Sequence, residues 1–276
     1  MPTKLAIICP VYNEEEVLDS SVAKLRSLLS ELQEKGKVAD GSYIVFVNDG
    51  STDSSWQKIK DLHDKFNNVK AIGFSCNCGH QQALMAGMIS CKNKVDAAIT
   101  IDVDLQDDIS AIEDMLDKFK LGNDVVYGVK TNRDADGVFK RLTAQCFYKL
   151  QRAMGIKIVY NHADFRLVSN NVICALSHCN EKNLYLRGII PSFGFKSDTV
   201  EDKISEREAG KSKYTPAKMF KLASDGILSF SSRPLKIITW LGVIFLVVAL
   251  INAIDVIISL CTNNATPGWS QLMLSV

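Results

Sequence analysis

AAITIDVDLQDDI, Ala97 to Ile109, begins as an apolar strand and ends in acids: Asp102, Asp104, Asp107 and Asp108, with Gln106 among them. Such a run reads as a buried strand whose exit carries chemistry. The same texture repeats around it. LAIICPVY (Leu5 to Tyr12), YIVFVND (Tyr43 to Asp49), VKAIGF (Val69 to Phe74) and DVVYGV also read as strands. Helices are expected from about Glu15 to Lys35, after Asp53, through HQQALMAGMIS, and from about Asp108 to Lys120. Alternating strand and helix predicts an α/β fold with a mostly parallel sheet flanked by helices.

In such sheets ligands gather beyond the carboxyl ends of the strands. Four exits are informative: Pro10 to Glu14, Asn48 to Ser51, Asn77 to His80, and Asp102 to Gln106. No G-x-G spacing occurs, which disfavours a dinucleotide site, and SEREAGKS has Ser205 where a phosphate loop needs glycine. Hard Mg²⁺ or Mn²⁺ takes oxygen ligands and shares them with substrate phosphates. Asp102 and Asp104 on a strand exit suit that role, with Gln106 as a neutral ligand or an orienting group. Either Asp107 or Asp108 is expected simply to cap the following helix.

The 276 residues suffice for one large domain or two ordinary ones. Lysine plus arginine (32) nearly balances aspartate plus glutamate (31), so no global field favours nucleic acid. Eight cysteines are too sparse for a disulfide scaffold, and Cys9, Cys91, Cys146 and Cys174 sit in apolar surroundings. A reducing cytoplasmic compartment is expected, and Met1 to Glu14 has no secretory signal pattern.

Beyond Thr131 the texture changes. Val138 to Met154 reads as an amphipathic helix with a basic face, and Gly188 to Tyr214 is mixed and loop-rich. Thr215-Pro216 opens a helix whose Met219, Phe220, Ala223, Ile227 and Phe230 share a side, fitting a membrane interface or an ordinary surface. Ile237 to Ile254 passes eighteen residues without a charge. As a helix it would extend roughly 27 Å, close to a bilayer's hydrocarbon thickness.

PVYNEEE, VNDGSTDSS, IDVDLQDD, DFRLVS, GKSKY and DGILSFSSRPLK, in this order, resemble the bacterial polyprenyl-phosphate glycosyltransferases. These are inverting family 2 enzymes with a GT-A nucleotide-diphospho-sugar transferase fold, similar to dolichyl-phosphate mannose synthase. The likeness runs from about Leu5 to Trp269. It implies a GT-A catalytic domain over 1–214, a juxtamembrane helix over 215–232 and a transmembrane helix over 235–261. Residues 262–276 would form an extracytoplasmic loop and the start of a second span. It further implies a nucleotide pocket of Pro10, Tyr12, Glu14 and Asp49, the last bonding the base. Asp102, Asp104 and Gln106 would hold Mg²⁺ or Mn²⁺ on the diphosphate, and Asp164 would be the acid near the reacting sugar. Lys130 and Arg141 would meet the lipid phosphate, while Arg207, Ser212 and Lys213 would lie on a loop that closes over phosphates.

The chain departs from that pattern at three places. Cys76-Asn77-Cys78-Gly79 stands where relatives carry arginine-asparagine-x-glycine, removing a cation. No second cysteine pair is spaced for zinc. His80 beside it suits either a pocket hydrogen bond or a cap. Asp108-Ile109-Ser110 replaces prolines, and PGWSQLMLSV stops as a second apolar stretch begins. Asn252 and Asp255 within the span offer contacts for helix packing or a homo-oligomer.

The resemblance implies hexose transfer, with glucose first, from a UDP-sugar to undecaprenyl phosphate at the cytoplasmic face of a bacterial cell membrane. The partners would be a nucleotide-sugar donor, the polyprenyl phosphate and membrane lipid, and no nucleic acid. UDP-N-acetylglucosamine and GDP-mannose are alternative donors. A processive polysaccharide synthase is disfavoured because no arginine-tryptophan pair occurs. A catalytically silent nucleotide-sugar-binding membrane scaffold is the rival outside enzymology.

Overall fold

The computed structural model describes residues 1–130, 162–179, 181, 184–202 and 233–261. The chain divides into two units, Met1–Ser229 and Phe230–Val276. The helices expected over 138–154 and 215–232, and the terminal segment 262–276, lie outside the described residues.

In the first unit the strands are β1 (Leu5–Val11), β2 (Tyr43–Asn48), β3 (Val69–Gly73), β4 (Ala97–Thr100), β5 (Val125–Lys130), β6 (His162–Ser169) and β7 (Ser197–Asp202). Between them run α1 (Leu18–Glu34), α2 (Ser55–Lys65), α3 (His80–Ser90), α4 (Ala111–Lys120), α5 (Asn170–Leu176) and α6 (Leu186–Ser192). The strands form one sheet in the order β3-β2-β1-β4-β6-β5-β7. β1 to β4 pair in parallel, β7 pairs parallel to β5, and β6 alone runs antiparallel between β4 and β5.

The layers follow from residue spacing. β1 is buried along its whole length, as a central parallel strand covered on both faces must be. Leu5, Ile7, Cys9 and Val11 face one core with α1, α2 and α4. On α1 the buried Leu18, Val22, Leu25, Leu29 and Leu32 recur at helical spacing, giving the stripe that meets this face. Ala6 and Ile8 look the other way, toward α3. There Gly87 lets the helix lie close, since a Cβ on it would fall 2.3 Å from Ile8 Cγ2.

Two helices start later than their sequence pattern suggests. α1 begins at Leu18 because Glu14 and Glu15 are held by the β2 exit loop: the Glu14 N–H donates to Ser55 Oγ at 2.9 Å. α4 begins at Ala111 because Asp108 Oδ1 accepts from the Ser110 N–H at 3.0 Å and from the Ser110 hydroxyl at 2.6 Å. Neither final acid is the cap expected of one of them: Ser110 holds the N-cap position without a side-chain cap bond, and Asp108 instead ties the turn before it.

In the second unit, α7 (Arg233–Cys261) contains Ile238–Ser259, a helix long and apolar enough to cross a membrane. Trp240, Phe245, Leu246 and Ile251 along it are exposed, which fits lipid contact better than a soluble core.

Candidate functional site

The exits of β1 and β2 are stitched together by the serines and threonine of DGSTDSS. Asn13, at φ 55, donates its N–H to Ser51 Oγ at 3.0 Å, and its Oδ1 accepts from the Thr52 N–H at 2.8 Å. Glu15 and Asp53 exchange similar bonds with the opposite loop. This frame presents Tyr12, 40% exposed, and the half-buried Glu14 at the sheet's carboxyl edge, with Pro10 buried behind them.

Asp49 is 3% exposed and faces the next loop. Its carboxylate accepts from the Cys78 N–H at 2.7 Å and from the Gly79 N–H at 3.0 Å. Gly50 permits the approach: it sits at φ +64, and a Cβ on it would fall 2.3 Å from the Cys76 carbonyl carbon. The side chain expected to meet a nucleotide base therefore also fastens the β3–α3 loop.

At the β4 exit the two acids of D-x-D alternate around a core residue. Val103 is 4% exposed and packs inward, so Asp102 and Asp104 emerge on either side of it. Leu105 then adopts a left-handed backbone, φ 47, turning the chain so that Gln106 Nε2 donates to Asp104 Oδ2 at 2.7 Å. Asp102 has its pKa raised to about 6. Crowding by protein is the first cause. Asp107, Asp164 and Asp104 add to it, while His80 opposes. About half of the Asp102 side chain is exposed, which tempers the desolvation and leaves like-charge repulsion as the firmer cause.

Asp164 reaches the same place through β6. Because β6 is antiparallel to β4, with Thr100 opposite Arg166, two residues onward past β4 and two residues back along β6 bring Asp164 beside Asp102. The Thr100 hydroxyl donates to the Asp164 carbonyl. His80, first residue of α3, lies with Nε2 3.4 Å from Asp164 Oδ2 and 3.7 Å from Asp102 Oδ1. It bridges the two acids, while the cap position of α3 falls on Gly79.

The Asp164 carboxylate, 9% exposed, is surrounded by donors. Arg166 Nη2 pairs with Oδ1, Arg187 donates Nε to Oδ1 at 3.2 Å and Nη2 to Oδ2 at 2.9 Å, and Gln81 Nε2 reaches Oδ2 at 3.3 Å. Burial alone would raise its pKa, but Arg187, His80 and Arg166 outweigh that and hold it well below the carboxylate range. Desolvation lowers His80, yet the Asp164 hydrogen bond and the Asp102 and Asp164 charges leave its pKa raised. Gln81 Oε1 also accepts from the Leu186 N–H at 3.1 Å, tying α3 to the start of α6. Arg166, Arg187 and Gln81 were not among the expected site residues. The one signal was DFR itself, since residues two apart on a strand share a face.

Lys130 is drawn to Asp107, Nζ to Oδ1 at 3.1 Å, beside the acidic loop. Beneath them Asp202 is wholly buried, with Oδ1 accepting from the Asp108 N–H at 2.9 Å. Burial and then the Asp107 charge raise its pKa to about 6, against the Asp108 hydrogen bond. Arg141, Arg207, Ser212 and Lys213 lie outside the described residues.

Among the described residues no three His, Cys, Asp or Glu side chains form a ready metal cage. Two carboxylates and an amide at an open strand exit fit a hard divalent cation that completes its shell with substrate oxygens. The mutual repulsion raising Asp102 is what such a charge would relieve.

The first unit is thus a mixed sheet with helices on both faces and carboxylates gathered at its carboxyl edge, the arrangement of the GT-A fold. The profile described as Glycosyl transferase family 2 matches residues 6–176, and the chain belongs to that family. An uncharacterized glycosyltransferase of Bacillus subtilis, YkoT, is 42% identical over 99% of this chain and 81% of its own length. A prophage bactoprenol glucosyl transferase homolog of Escherichia coli is 37% identical over 99% and 87%. The bactoprenol glucosyl transferase of Shigella phage SfV is 36% identical over the same shares, 99% and 87%. Among solved structures, glucosyl-3-phosphoglycerate synthase from Mycobacterium tuberculosis aligns with TM-score 0.56 at 16% identity, over 83% of this chain and 80% of its own. A mannosyltransferase of Pyrobaculum calidifontis, solved with GDP-Man and Mn²⁺, aligns with TM-score 0.52 at 13% identity, over 82% and 70%. These two share the fold.

Proposed function

We propose that the protein transfers glucose from UDP-glucose to undecaprenyl phosphate at the cytoplasmic face of the bacterial membrane, inverting the anomeric centre. The observation that carries the reading is the meeting of Asp102 and Asp164 across His80 at the sheet's carboxyl edge. The acceptor reading is supported by relatives named bactoprenol glucosyl transferases that align with almost the whole chain. The apolar stretch Ile238–Ser259, with Arg233 and Lys236 just before it, agrees with an anchor entered from the cytoplasm.

On this reading Pro10, Tyr12, Glu14 and Asp49 form the nucleotide pocket. Asp102, Asp104 and Gln106 would hold Mg²⁺ or Mn²⁺, which when bound neutralises charge on the leaving diphosphate. A phosphate oxygen of the acceptor attacks the anomeric carbon from the face opposite UDP. The bond from that carbon to the diphosphate breaks, and the product is a β-linked lipid phosphosugar. The acceptor oxygen is already anionic, so no proton has to be removed. Asp164, held ionised by Arg187 and Arg166, acts as a fixed negative charge that aligns the reacting groups and stabilises positive charge at the anomeric carbon. Lys130, Arg141, Arg207, Ser212 and Lys213 are assigned to phosphates.

The test is a screen of UDP-glucose, UDP-N-acetylglucosamine and GDP-mannose with undecaprenyl phosphate and the purified chain, reading the glycolipid by mass. A hexosyl phospholipid formed from UDP-glucose is expected. Product from another donor alone would reassign the sugar, and binding of donors without product would favour the silent scaffold.

A further inference from the structure

Cys76 and Cys78 stand in the β3–α3 loop, both exposed and both unbridged. Their Sγ atoms are 3.8 Å apart, and the Cys78 thiol also turns back to the Cys76 carbonyl at 3.5 Å. The proposed transfer gives neither thiol a task. The loop that carries them is fastened at both ends of the pair. Gly50 packs against the Cys76 carbonyl carbon with no room for a methyl group, and Asp49 grips the amides of Cys78 and Gly79.

We propose that Cys76 and Cys78 form a thiol–disulfide modification site, whose closure loosens the Asp49 grip on the loop and so weakens nucleotide binding. The nucleotide part rests on the assignment of Asp49 to the nucleotide pocket; the covalent part does not. A disulfide bond of about 2.05 Å requires the sulfurs to approach by roughly 1.7 Å. With Gly50 seated against Cys76, backbone movement that accompanies closure falls more easily on the Cys78 side, whose N–H donates to Asp49 at 2.7 Å. A ring closed across one intervening residue is strained, which makes the bond readily reducible and the modification reversible.

The oxidant is a low-molecular-weight disulfide. Cys76, as thiolate, attacks one of its sulfurs, forming a mixed disulfide and expelling one small thiolate. Cys78 then loses its proton to solvent and attacks Cys76 Sγ, expelling the second. One small disulfide becomes two thiols, two protein thiols become one disulfide, and the protons released are taken up by the departing thiolates.

The experiment uses the full chain in detergent, treated with oxidised glutathione and then with dithiothreitol. Peptide mass should show loss of two hydrogens on the segment holding Cys76 and Cys78, regained on reduction. Calorimetry should show UDP affinity about 10-fold lower in the oxidised protein, as expected for a weakened charge-assisted hydrogen bond. Cys76→Ser and Cys78→Ser should each abolish the response. Amide exchange at Cys78 and Gly79 should quicken on oxidation, a readout that stands even if reduced protein binds no UDP and the nucleotide assignment fails. Separate glutathione adducts on each thiol, or no oxidation, would overturn the site. A disulfide that leaves amide exchange unchanged would overturn its coupling to Asp49, and unchanged UDP affinity its effect on nucleotide binding.

Discussion

Arg187 grips Asp164 at two points, Nε to Oδ1 at 3.2 Å and Nη2 to Oδ2 at 2.9 Å, from a helix 23 residues further along the chain. The pair joins the start of α6 to β6 beside the acidic exit of β4. Arg187→Ala leaves Asp164 buried with one guanidinium instead of two. Turnover should fall about 10- to 100-fold and stability by about 1–3 kcal/mol, since the buried charge loses part of its compensation. Arg187→Lys, which cannot make both bonds, should recover stability more than turnover. Glycolipid kinetics beside urea unfolding would check this, and unchanged turnover in the alanine variant would remove Arg187 from the account.

Metal dependence is the second prediction. Asp102→Asn or Asp104→Asn should abolish most turnover, and EDTA should do the same to the unaltered enzyme until Mg²⁺ or Mn²⁺ is restored. Full activity in chelator, with carried-over metal excluded, would contradict the assignment of those carboxylates.

The third concerns pH and Asp202, wholly buried with its pKa raised from 3.8 to about 6. A carboxyl raised on folding binds its proton more tightly in the native state between those values. Its contribution therefore makes the fold more stable as pH falls from about 7 toward 4, and less stable as pH rises through 6. Asp202→Asn, whose Oδ1 can still accept from the Asp108 N–H, should flatten that part of the profile and raise the midpoint at pH 7.5 by a few degrees. Thermal melts at pH 5 and 7.5 would measure both. A variant with the same pH slope as the parent would show that Asp202 does not titrate there.

The acceptor residues give the fourth. Arg141→Ala and Lys213→Ala should each weaken catalysis by about 10-fold or more, as loss of a charge-assisted phosphate bond would. Varied undecaprenyl phosphate is the discriminating axis: unchanged kinetics would return both to ordinary solvated surface.

Strands β1 to β5 were legible as short apolar runs that stop at acids, glycines and asparagines, and helices α1, α2 and α4 by their helical spacing of apolar residues. The antiparallel β6 was not. Its DFRLVS buries Arg166 where a core strand normally carries an apolar residue, and the pattern conceals that Asp164 pairs with its Nη2. Nothing local distinguishes Arg187 from a surface arginine, and only its two bonds to Asp164 place it in the site. The acids of D-x-D were legible, and the structure adds why the middle residue is apolar: Val103 anchors the turn in the core. Asp49 was expected at the nucleotide, but its bonds to Cys78 and Gly79 span 29 and 30 residues and could not be read from spacing.

The central claim is that the Asp164 charge serves the transfer itself, and Asp164→Asn tests it most directly by keeping the shape and removing the charge, at some cost in stability because Arg166 is buried beside it. UDP and Mg²⁺ binding by calorimetry should be close to normal, while glycolipid formation drops about 100-fold or more. Near-normal turnover would contradict the claim, and equal loss of binding, folding and turnover would make Asp164 a structural residue.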